Sequence, residues 1–128
     1  MSFSKKDIQD AWNRATSVDG YDETRFRKDA CGAWMIWDKY GDTDSFYGWV
    51  IDHVVPRSLL EEKGFSDGMI DNPLNLRALQ HDNNRSKSDD YPSYTAVVTS
   101  KGAENIKEWT YLQVNEKKQK ALNALYNL

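Results

Sequence analysis

Between Tyr47 and Asp89 the alternation of apolar and polar residues changes character three times. Tyr47-Gly48-Trp49-Val50-Ile51 is aromatic and β-branched and predicts a strand, and Pro56, which has no N–H for a ladder, marks its end. Asn75-Leu76-Arg77-Ala78-Leu79 alternates and predicts a short return strand. His81 to Lys87 is polar throughout, so a helix there needs packing partners to stand. Asp52 and His53 fall at the end of the first strand. Strand neighbours point to opposite faces, so both serving one cleft requires a bulge or turn at Asp52-His53-Val54.

The flanking segments predict scaffold. Ser4 is a helix cap, and Ile8, Ala11, Trp12 and Ala15 behind it share one helical face. Asp22 to Arg27 predicts a second short helix, and Ala33-Trp34-Met35-Ile36-Trp37 a strand followed by a turn near Tyr40-Gly41-Asp42. Ser58 to Lys63 predicts a one- or two-turn helix capped by Ser58 and closed by Gly64. Tyr94 to Thr99 predicts another strand. From Asn115 a last amphipathic helix sets Leu122, Leu125 and Tyr126 inward and leaves Lys117, Lys118 and Lys120 in water. The class is α+β, one domain over residues 1–128.

Composition narrows this further. The 128 residues can bury a core, and the charged and hydrophobic fractions, 29% and 39%, are those of a globular protein. Met1 followed by a capped helix reads as a native start, with no apolar leader and no bilayer-length run, which predicts a cytoplasmic protein and no membrane partner. The single cysteine, Cys31, rules out an internal disulfide and reads as a small buried hydrophobe. Five tryptophans raise the question of base stacking, but Trp34, Trp37 and Trp49 lie in apolar runs and read as core.

The chemistry-bearing residues are Asp52, His53, Asn75 and Asn84. A carboxylate and an amide oxygen can hold a hard divalent cation, and an imidazole beside them can take a proton from water near neutral pH. Ile51-Asp52-His53-Val54-Val55-Pro56, Asn75-Leu76 and Asn83-Asn84-Arg85-Ser86-Lys87-Ser88-Asp89 resemble the HNH nuclease family, with its ββα-metal (His-Me finger) motif at about residues 47–90. Upstream, Arg27 to Trp34, Tyr40-Gly41 and Tyr47-Gly48-Trp49 resemble small stand-alone bacterial members. The resemblance implies Asp52 and Asn84 as metal ligands, His53 as general base and Asn75 as the residue that orients the histidine loop. It also implies a DNA substrate and 5′-phosphate and 3′-hydroxyl products.

Two departures stand out. Many members hold a structural zinc with paired cysteines beside the helix; here the helix-side positions are Gln80 and Asn83, and one cysteine cannot build a four-ligand site. The helix is then expected to be anchored by packing and hydrogen bonds alone. Arg57 to Pro73 also replaces a short turn by a longer insertion.

Charge pulls the other way. A net charge of −3 and a pI near 5.3 are not the basic footprint of a nucleic-acid binder. Arg57, Arg77, Arg85 and Lys87 are the expected positive rim for phosphates, diluted by Asp82, Asp89 and Asp90, with Mg²⁺ or Mn²⁺ as cofactor and a protein partner that delivers the substrate. His81, one turn before Asn84, reads either as a contact to phosphate or metal-bound water or as a solvated helix-start residue. Three readings stay open: a metal-dependent endonuclease, a catalytically idle HNH-like module that binds nucleic acid or protein, and a toxin domain released from a larger chain.

Overall fold

The computed structural model describes residues 3–128. Helix α1 (Lys5–Arg14) starts at a reciprocal cap in which Asp7 N–H donates to Ser4 Oγ and Ser4 N–H to the Asp7 carboxylate. Its apolar face is the expected one: Ala11 and Trp12 are buried, and Ile8 and Ala15 pack around Trp12, Met35, Trp49 and Ala78. Residues 22–25, expected to be helical, form a turn instead, because Asp22 Oδ1 accepts from Thr24 N and Oγ1 and closes the backbone before a helix can start. The chain goes directly into β1 (Phe26–Lys28), antiparallel to β2 (Trp34–Ile36).

Next comes β3 (Trp49–His53). Gly48 enters it where a Cβ would lie 1.8 Å from the Asp42 carbonyl oxygen, so the close approach of two backbones requires glycine there. Helix α2 (Arg57–Glu62) begins at Pro56 rather than at a Ser58 cap; Ser58 is exposed inside the first turn. Gly64, at φ +86°, closes it as expected. A short α3 (Asp67–Ile70) follows, capped by Ser66 Oγ on Met69 N–H, and then a 3₁₀ turn (Pro73–Asn75) that feeds β4 (Leu76–Gln80).

β3 and β4 pair antiparallel from Trp49↔Gln80 to His53↔Leu76 without interruption. Of the bulge or turn expected at Asp52-His53-Val54, there is no bulge in the ladder through His53, but the chain bends at Val54 and Val55, with Val54 N–H bonded to the Asn75 carbonyl. Helix α4 (His81–Lys87) follows β4 directly, with Gln80 Oε1 accepting from Asp82 and Asn83 N–H in place of water. It packs against β3, β4 and β5.

β5 (Ser93–Lys101) and β6 (Glu104–Gln113) form the third two-stranded sheet. Its register slips between Ala96↔Thr110 and Val98↔Lys107, a bulge in β6 that leaves Trp109 72% exposed, with Tyr111 exposed beyond it. Helix α5 (Glu116–Tyr126) is capped by Asn115 and seats Leu122 and Tyr126 among Val54, Val55, Leu60, Ile70, Tyr94 and Val114. Lys118 is half-buried, not in water with Lys117 and Lys120. The result is a single-domain α+β fold of five helices and three small antiparallel sheets among the described residues. No helix in it is long and apolar enough to cross a membrane.

Candidate functional site

Asp52, His53 and Asn84 line one cleft of about 400 Å³, together with Pro56, Arg57, Arg85 and Asp89. Each comes from a different constraint. Asp52 sits opposite Arg77 in the β3–β4 ladder, His53 ends the strand, and Asn84 projects from the half-buried second turn of α4, its backbone carbonyl accepting from Ser88 N–H.

Asn75 does not line the cleft; it is fully buried below it. Its Oδ1 accepts from Val55 N–H at 2.7 Å, and its Nδ2 donates to the Val55 and Ile70 carbonyls at 3.1 and 3.2 Å. One side chain thus ties the backbone just past His53 to the end of α3.

His53 Nε2 lies 2.7 Å from Asp71 Oδ1. An ionised carboxylate only accepts, so Nε2 carries the proton and Nδ1 keeps the ring's lone pair. Phe3 packs against the ring at 5.6 Å between centroids. Asp71 was missed in the sequence, where it is one acid among several in a long loop; its only local signal is the Asp71-Asn72-Pro73 turn that delivers Asn75.

The basic residues divide. Arg57 and Arg85 line the cleft. Arg57 is engaged by Glu61 at 2.6 Å, by Asp67 and by Asp71 at 3.7 Å, whereas Arg85 is exposed and also borders a larger, mostly apolar groove of about 640 Å³ that runs to Trp109. Arg77 and Lys87 are not on an open rim, which corrects the expectation for both. Arg77 is 9% exposed, its Nε donating to Asp52 Oδ2 at 3.0 Å and its guanidinium lying over the Tyr94 ring at 5.2 Å. Lys87 is fully buried, its Nζ 3.3 Å from Asp52 Oδ1 and bonded to the His53 carbonyl at 3.2 Å. Burial pushes the Lys87 ammonium below its ordinary range, and the Asp52 charge pulls it back up. Both are buried partners of Asp52.

His81 is also enclosed. Its Nε2 donates to the Ser45 carbonyl at 2.7 Å, so it holds the loop before β3 and is neither solvated nor aimed at the cleft.

The anchoring of α4 falls on the two residues that stand where the resemblance has cysteines. Asp29 Oδ2 accepts from Gln80 N–H and Asn83 Nδ2, while its Oδ1 accepts from Cys31 and Ala33 N–H. Asn83 Oδ1 in turn accepts from Val97 and Val98 N–H. Hydrogen bonds from three elements meet on Asp29 and Asn83.

The donor set of the cleft is consistent with a hard cation. Asp52 and Asn84 offer only oxygen, and an ionised carboxylate has about four lone-pair directions, of which Arg77 and Lys87 engage one on each oxygen. Among the described residues, no group of three or more His, Cys, Asp or Glu side chains is arranged to hold a metal ion. No family model, curated protein or solved structure matches this chain.

Proposed function

We propose that the protein is a divalent-metal-dependent endonuclease of the ββα-metal, or HNH, kind, hydrolysing phosphodiester bonds of nucleic acid, with DNA as the substrate. The convergence of Asp52, His53 and Asn84 on one cleft carries this reading. Asp52 and Asn84 hold Mg²⁺ or Mn²⁺ through oxygen. When bound, such an ion polarises the phosphate and offsets charge on the leaving oxygen. His53, its Nε2–H held by Asp71, takes the proton of the attacking water on Nδ1. Asn75 keeps the backbone behind His53 in place, and Arg85 is the exposed cation placed to meet a phosphate.

One observation favours a second reading, a catalytically idle module. Both Asp52 oxygens already face buried cations, the arrangement of a structural ion pair. Supercoiled plasmid and single-stranded DNA incubated with Mg²⁺ or Mn²⁺, with EDTA and His53→Ala controls, separate the two. The nuclease reading expects cleavage that EDTA abolishes and His53→Ala lowers by about 10²–10⁴-fold. Cleavage unchanged in His53→Ala, or none with either substrate, would reject it.

A further inference from the structure

The groove of about 640 Å³ that runs from Arg85 on α4 to Trp109 on β6 has Val97 and Val98 of β5 in its lining. It joins the Asp52 cleft through Arg85, which lines both. Trp109 and Tyr111 are 72% and 66% exposed. Each of the other four tryptophans packs against an aromatic neighbour, whereas these two rings have none among the described residues. Large aromatics left together in water beside an apolar groove mark a binding surface.

Both rings face one side of the hairpin. Thr110 and Leu112, which alternate with them, are half-buried, Leu112 against the core around Tyr126. Tyr111 stands opposite Thr95, whose hydroxyl meets Ser86 of α4, so the shared side is the one that α4 borders. Two residues of strand set the rings about 7 Å apart, twice the roughly 3.4 Å rise of stacked bases, so one planar base fits between them.

Charge decides what kind of strand suits the groove. Arg85 and Lys107 border it together with Asp82 and Glu108, two cations against two carboxylates. A duplex keeps its bases paired and stacked inside and offers mainly phosphates, which a groove without net charge holds weakly. An unpaired strand offers the π faces of its bases to the exposed rings.

We propose that the groove between α4 and β6 binds an unpaired nucleic-acid strand, with a base stacked on Trp109 and Tyr111 and with Arg85 leading the strand toward the Asp52 cleft. The choice of nucleic acid rests on the nuclease reading, which the preference for an unpaired strand deepens. Affinity supplied by stacking rather than by net charge also suits a chain with a pI near 5.3.

The test is fluorescence anisotropy of an end-labelled, mixed-sequence oligonucleotide of about sixteen nucleotides, titrated with the full chain in EDTA so that binding is read without cleavage. The expected result is saturable binding, weakened about 5–150-fold in Trp109→Ala and kept within about threefold in Trp109→Phe. Trp109 is exposed, so neither variant disturbs the core. An abasic strand of equal length carries the same phosphates; it is expected to bind weakly and to be indifferent to Trp109→Ala. Affinity unchanged in Trp109→Ala, a duplex of the same sequence bound as tightly as the single strand, or no binding of either would overturn the proposal. Binding that needs Trp109 without any cleavage in Mg²⁺ or Mn²⁺ rejects the nuclease reading and leaves this site standing. Cleavage with binding indifferent to Trp109 does the reverse.

Discussion

Asn83 Nδ2 donates to Asp29 Oδ2 at 3.2 Å across 54 residues of sequence, joining the helix that carries Asn84 to the turn before β2. Through the other Asp29 oxygen and the Asn83 carbonyl, the same pair also holds Cys31, Ala33, Val97 and Val98 by their backbone N–H groups. A buried carboxylate is stable here because every bond it accepts comes from a fixed donor, so removing its acceptor power strands several polar groups at once.

Asp29→Asn replaces one oxygen by an NH₂ group that faces donors. Two bonds are lost, and the expected cost is about 2–3 kcal/mol. Urea unfolding reads it as a lower midpoint at unchanged slope. A change under about 0.5 kcal/mol, the range of ordinary surface substitutions, would mean that Asp29 is not the anchor of α4.

Asn75 invites a pair of substitutions. Asn75→Ala removes three bonds to the backbone around His53 and is expected to cost about 3–5 kcal/mol. Asn75→Asp keeps the acceptor for Val55 N–H but turns the other end into an acceptor facing two carbonyls, so the introduced carboxyl is favoured protonated. Its folded pKa then exceeds its unfolded one, and its stability relative to wild type is best at low pH and falls as pH rises through the folded value. Thermal melts of both proteins from pH 4 to 8 check the sign. A deficit that narrows with rising pH would contradict the geometry.

Cys31 gives a pH prediction independent of any activity. Burial, and after it the Asp29 charge, push its thiol up to about 12. An ordinary thiol near 8.5 is partly ionised at pH 8, so alkylation of the native chain should run about three orders of magnitude slower than in urea. The native rate should still climb about tenfold per unit between pH 8 and 10. A plateau near pH 9 would show a thiol in ordinary surroundings.

The metal assignment is tested at Asn84. Replacing an amide oxygen by imidazole in Asn84→His should move ion preference from Mg²⁺ and Mn²⁺ toward Zn²⁺, Ni²⁺ or Co²⁺. Calorimetric titration of wild type and variant with each ion shows it directly, and an unchanged order of affinities removes Asn84 from the ligand set.

Where the sequence carried a local rule, the structure follows it: the α1 face set by Ile8, Ala11 and Trp12 and the β3 and β4 runs come from periodicity and breakers. β6 had no such signal, because the bulge beside Val97 breaks its alternation and it leaves Lys107, Glu108, Trp109 and Tyr111 in solvent. In the candidate site, the meeting of Asp52, His53 and Asn84 in one cleft was legible, while the burial of Arg77 and Lys87 was not. That depends on Asp52 facing Arg77 across the ladder, a relation that appears only once the two strands are put in register. Asp71 was equally silent, since its partner His53 lies 18 residues away across two helices.

The bulge in β6 gives the molecule an optical property. Trp12, Trp34 and Trp49 are buried and Trp37 half-buried, whereas the Trp109 indole stands in water at the end of the groove that begins at Arg85. The red edge of the fluorescence spectrum, and the fraction that iodide quenches in the folded chain, therefore belong chiefly to one ring. Whatever settles on that hairpin dims or blue-shifts this single emitter, while the inner indoles keep a separate record of whether the protein is folded.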